Sequence, residues 1–69
     1  MERVYFYHYR QEQFYLIDGL WMSHDGDLFY GLSNSGGFLH ALPTEGYLTD
    51  EKAMWRELRA REAHHGQKL

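Results

Sequence analysis

The chain has no cysteine and a single proline among its 69 residues. Without cysteine it has neither disulfides nor the thiolate sets that hold most structural zinc, so two common staples of very small domains are excluded. Long apolar runs are missing as well: none approaches the roughly 20 residues that a bilayer-crossing helix needs. The start, Met1-Glu2-Arg3, leads into tyrosines instead of a leucine-rich signal core. Together these features predict a cytoplasmic protein with no membrane partner. Positive charge is scarce. The net charge is -3 with a pI near 5.9, whereas phosphate backbones are bound chiefly by clustered Lys and Arg. Of the seven basic residues, Lys52, Arg56, Arg59 and Arg61 alternate with Asp50, Glu51, Glu57 and Glu62. That mixture reads as a solvated helix face, and nucleic acid is an unfavoured partner.

What the chain does have is aromatic rings, which make up 17% of it within a hydrophobic share of 43%. A domain of this size buries only about 60% of the surface that its unfolded chain exposes. A dense aromatic core or oligomerisation therefore has to supply the stability that staples do not.

Residues 3–10, Arg-Val-Tyr-Phe-Tyr-His-Tyr-Arg, are rich in β-formers and end at the polar run Gln11-Glu12-Gln13, which predicts a first strand. A second runs from Phe14 to Met22, with Gly19 marking a bulge or bend. Asp25-Gly26 between apolar runs predicts a two-residue type I′ hairpin in which Met22 opposes Phe29 and Trp21 opposes Tyr30. A turn at Asn34-Ser35-Gly36-Gly37 leads to a short strand from Phe38 to Leu42, closed by Pro43. Residues 44–48 then read as a loop. Thr49 is the expected N-cap of a helix from Asp50 to about His65, with acidic residues in its first turn and Gly66 as its stop. The expected fold is α+β: a three- to four-stranded antiparallel β-meander with one C-terminal α-helix packed on one face. It forms a single domain over residues 1–66, followed by a frayed tail at 67–69.

Strand alternation sorts the side chains into two sets. One face carries Val4, Phe6, Ile17, Trp21, Leu28, Tyr30, Leu32 and Leu39, and the other Tyr5, Tyr7, Tyr9, Phe14, Leu16, Met22, Phe29 and Leu42. Both are apolar, yet an antiparallel sheet covered on one side normally turns polar residues outward. A single helix covers one face only. Tyrosine and methionine suit an interface, so the tyrosine-bearing face is the expected open one, with Tyr5, Tyr7, Tyr9, Phe14, Met22 and Phe29 as partner-binding residues. Trp21 is assigned to the core on this reading. The competing geometry is a strongly curled sheet, a half-barrel that hides these residues itself, or a register displaced by one at Gly19.

Catalytic and metal chemistry find little support. His24 and His40 lie on different strands, and the adjacent His64 and His65 point about 100° apart on a helix. Asp25-Gly26-Asp27 lacks the alternating ligands and closing Glu of a calcium loop. The Gly36-Gly37 turn opens no helix and carries no phosphate-binding lysine. Ser23 and His24 are neighbours on a strand and face opposite ways. No cofactor, metal site or enzymatic activity is expected. The expectation is a small interaction module, an accessory or inhibitor protein of bacterial or phage type, that docks on a partner protein or on itself as a homodimer. The alternative is single-stranded nucleic-acid binding through Tyr5, Tyr7 and Tyr9 with Arg3 and Arg10.

Overall fold

The computed structural model describes the backbone of residues 2–66 and the side chains of residues 2–63. In chain order the elements are β1 (Val4–His8), β2 (Gln13–Met22), β3 (Leu28–Asn34), β4 (Gly37–Ala41), a 3₁₀ turn (Pro43–Glu45), β5 (Gly46–Asp50) and α1 (Glu51–Gly66). The strands form one antiparallel sheet in the order β4-β3-β2-β1-β5. The α+β fold with its C-terminal helix is as expected, but the sheet has five strands, not three or four. The additional strand is Gly46–Asp50, which the sequence presents as loop. Only Tyr47, Leu48 and Thr49 favour extended backbone there, between a glycine and an acidic helix start. β5 pairs with β1, a partner some forty residues away, from Val4 opposite Asp50 to His8 opposite Gly46. No helix among the described residues is long and apolar enough to cross a membrane.

The topology forces curvature. β4 and β5 are the two edges of the sheet, and in a flat five-stranded sheet they would stand about 19 Å apart. The link between them is only Leu42 and the 3₁₀ turn, which advances about 2 Å per residue. The edges therefore bend toward each other, and the sheet curls around its own core. That core is Phe6, Tyr15, Leu32 and Ala41, with Ile17, Tyr30 and Leu39 packed against it. The rings of Phe6 on β1 and Tyr30 on β3 meet at 5.4 Å although β2 lies between their strands. The link is pinned at Glu45: its carboxylate accepts the Leu42 N–H at 2.6 Å, its carbonyl accepts the Tyr9 N–H at 3.0 Å, and its other carboxylate oxygen stands 3.6 Å from Nε2 of the buried His8. The Gln11 N–H donates to His8 Nδ1, which places the imidazole proton on Nε2, facing Glu45.

Two local features set the faces differently from the simple alternation. The β2–β3 loop is not a two-residue Asp-Gly turn. The Gly26 N–H donates to the Ser23 carbonyl and the Ser23 N–H to the Asp27 carbonyl, while Gly26 has φ +87°. This is a three-residue hairpin, a turn closed by a left-handed glycine, and it sets Trp21 opposite Phe29 and Met22 opposite Leu28. The compensating irregularity lies between Ile17, opposite Leu32, and Gly19, opposite Gly31, where Asp18 is the extra residue of a bulge. Past Asp18 the two faces of β2 exchange. Trp21 therefore leaves the core side, and Met22 moves onto it.

The helix also sits on the unexpected face. Asp50, not Thr49, is its N-cap, with Oδ1 accepting the Ala53 N–H at 2.7 Å. α1 packs on the convex, tyrosine-bearing side of β1, β2 and β5, and Gly66 is its last residue, not the position after it. The tail at 67–69 lies outside the described residues, as do the side chains of His64 and His65.

Candidate functional site

The six residues expected to bind a partner separate into three groups. Tyr5, Tyr7 and Phe14 lie beneath α1. The Tyr5 hydroxyl donates to Glu51 Oε1 at 3.1 Å. The Arg61 guanidinium stands 4.6 Å from the Tyr7 ring centre and 5.4 Å from that of Phe14. Tyr7 also packs against Phe14 at 4.9 Å and Tyr47 at 5.3 Å. Tyr9 lies at the open end of this cluster, exposed, with Tyr47 at 6.0 Å. Met22 and Phe29 are elsewhere, on opposite faces of the β2–β3 hairpin.

Charge organises the cluster under the helix. Tyr47 ionises above its ordinary value because burial and then the Glu57 carboxylate disfavour the phenolate, against a smaller opposing effect of Arg61. Burial works to lower the Arg61 guanidinium, but contacts with Tyr7 and Glu57 outweigh it and raise the value overall. The cation is held over Tyr7 and Phe14 at every physiological pH. An open groove of about 520 Å³ runs beside this cluster. Tyr5, Phe14 and Leu16 form its floor, and Met54, Trp55 and Leu58 form its helix wall. Arg3 and Arg61 lie along it.

The second feature is a projecting arm. β1 pairs with β2 only as far as Leu16, and β4 pairs with β3 only from Tyr30 onward. Beyond Leu20, which pairs with Tyr30, Trp21–Met22 and Leu28–Phe29 form a two-stranded ribbon with both outer edges unpaired, in a molecule 50 Å long but only 28 by 20 Å across. A ribbon of this kind has little stability of its own. It is nevertheless apolar on both sides: Leu20, Trp21 and Met22 are 64%, 53% and 65% exposed. Leu20 and Met22 share the face that continues the core, and Trp21 and Phe29 share the other. Trp21 packs against His40 at 4.4 Å with the rings tilted by 48°, and His40 in turn meets the exposed Phe38 at 4.9 Å. Phe29, Trp21, His40 and Phe38 thus form one aromatic row along the convex face.

Leu20, Trp21, Phe38, His40 and Trp55 were not among the residues expected from sequence. The overhang comes from the observed strand lengths, ten residues for β2 beside five for β1, whereas the sequence presents these two strands as nearly equal in length. Among the described residues, no three His, Cys, Asp or Glu side chains come close enough to hold a metal ion. No protein-family model matches the chain, and no curated protein or solved structure is significantly similar to it.

Proposed function

We propose that the protein is a protein-binding module that engages its partner through the β2–β3 arm. The observation that carries this reading is the exposure of Leu20, Trp21 and Met22 on a ribbon that projects from the body. With Phe38, these side chains leave apolar surface in water on both faces of the arm, and concentrated exposure of that kind often marks an interaction site. Trp and Met are residues that interfaces favour, and unpaired edges on both sides of the ribbon offer main-chain pairing to an extended segment. Tyr5, Tyr7 and Phe14 serve on this reading to seat the helix.

The aromatic row also suits stacking of unpaired bases. The charge around it opposes that use: Asp18 lies at the base of the arm and Asp25 and Asp27 in its loop, and residues 11–51 contain no Lys or Arg. Single-strand binding driven by phosphate contacts would be strongest at low salt, and submicromolar binding of labelled single-stranded RNA or DNA there would replace the protein-binding reading. The direct test compares affinity capture from a host lysate by the wild-type chain and by Leu20→Ser/Met22→Ser. Both positions are solvent-exposed, so the variant stays folded. Partners held by the wild type and lost by the variant are the expected result, and identical capture profiles would sink the proposal.

A further inference from the structure

The arm is acidic toward its tip, and two cations line the groove beside α1. Residues 11–51 contain no Lys or Arg, and three carboxylates lie on or next to the arm, Asp18 at its base and Asp25 and Asp27 in its loop. In the fold, the groove beside α1 is lined by Arg3 and Arg61 against the Glu12 carboxylate, and the remaining acidic residues of that stretch, Glu45, Asp50 and Glu51, lie at the 3₁₀ turn and the start of α1, away from the arm. A charge division of this kind orients copies of one chain arm toward helix, because like ends repel and unlike ends attract.

Shape agrees with charge. The groove beside α1 has an apolar floor and wall, and its volume of about 520 Å³ suits a few large side chains, not a folded domain. Its outer wall is Trp55, itself half exposed. The arm is narrow, carries Trp21 and Met22 near its end, and finishes in Asp25 and Asp27. At the groove, Arg3 has no ion pair among the described residues and Arg61 is paired with Glu57 at 3.4 Å. Glu12 is the opposing charge on the same rim. The exposed arm alone falls short of the roughly 800 Å² per partner of a standard interface, and contributing arm and groove together brings each copy toward that size.

We propose that the arm of one copy seats in the α1 groove of a second copy, reciprocally, forming a closed twofold dimer. Trp21 and Met22 would enter against Trp55 and Leu58, with Asp25 and Asp27 against Arg3 and Arg61. Reciprocity follows from closure, since a one-way contact leaves a free arm and a free groove and grows into open chains. The inference rests on the reading of the arm as the binding surface and names its partner.

Complementation of two defective chains tests it. The arm variant is Trp21→Ser/Met22→Ser, and the groove variant is Arg3→Glu/Trp55→Ser. All four positions are exposed, so thermal melts close to wild type confirm that each variant folds. In sedimentation the wild type should dimerise, and each variant alone should lose about thirtyfold or more in Kd, the scale of losing an interface anchor. An equal mixture of the two should recover association, because the groove variant's arm meets the arm variant's intact groove. Added salt should weaken the dimer. A monomeric wild type would overturn the dimer, as would a mixture no better than its components; the latter is the signature of arm pairing with arm. In either case loss of lysate partners by the Leu20→Ser/Met22→Ser chain would still uphold the arm as a binding surface, so the two readings fail separately.

Discussion

Gly46 is the residue on which closure of the curled sheet turns. Its φ of -177° is ordinary extended backbone, so conformational freedom is not the reason a glycine stands there. Space is. A Cβ at this position would run into the Tyr7 carbonyl oxygen and approach within 2.6 Å of the Phe6 ring. Gly46→Ala must therefore push β5 away from β1 or displace a fully buried ring, and should cost about 3 kcal/mol or more, read in urea denaturation. Tyr47, next in the chain, gives a pH signature. Its folded value lies above the ordinary 10.0, so the folded state holds the proton more tightly than the unfolded chain. That contribution is complete below pH 10 and is lost as pH rises through the folded value. Thermal melts across this alkaline window should show a decline in stability that Tyr47→Phe reduces.

At the scale of elements, the distinction between core and arm becomes measurable. Leu32→Ala, at a fully buried position of β3, should cost about 3 to 5 kcal/mol. Trp21→Ser on the arm should cost well under about 1 kcal/mol, as exposed substitutions generally do, although it removes a larger side chain. Asp50→Ala should cost about 1 kcal/mol through loss of the helix cap. Denaturation of the three variants in parallel checks the ranking. The Trp21 case shows where the sequence was legible and where it was not. The inner and outer faces of β1, of β3 and of β2 as far as Ile17 could be read directly from alternation. Beyond Ile17 the reading fails, because a bulge residue and a three-residue loop each shift parity by one, and neither Asp18 nor Gly26 announces which turn it will join. The helix was legible from its acidic start and apolar stripe, but the face it covers was not. That choice depends on the curl of the sheet, which depends on the pairing of β5 with β1, and nothing local to either strand encodes a partner that distant. The candidate site inherits the same failure: Met22 and Phe29 were named as companions on one face, and the bulge separates them.

At the scale of the whole molecule, the body and the arm are separable. The core residues lie on strands paired on both sides or closed by the curl, and none of Leu20, Trp21 and Met22 is needed to cover them. Replacing residues 20–29 by a short Asn-Gly turn should leave a cooperatively folding body with a melting temperature within a few degrees of the full chain. It should also abolish capture of partners. Melting combined with the affinity comparison reads both outcomes from one variant, and a chain that fails to fold would show that the arm contributes structure as well as contacts.

The pairing of β1 with β5 also governs the order of events in time. Tyr5 meets Thr49, so the edge of β1 that faces β5 has no partner until nearly three-quarters of the chain is in hand, whereas β2, β3 and β4 are joined by tight turns and can pair locally. Contacts between distant segments are slow to form. The transition state is therefore expected to contain the β2–β3–β4 meander, with the β5 edge added afterwards. Stopped-flow kinetics should place the cost of Leu32→Ala mainly on the folding rate and that of Gly46→Ala mainly on the unfolding rate. During synthesis the exposed arm would then be complete before β5 has joined the sheet behind it, and the hazard of premature association would fall in that interval.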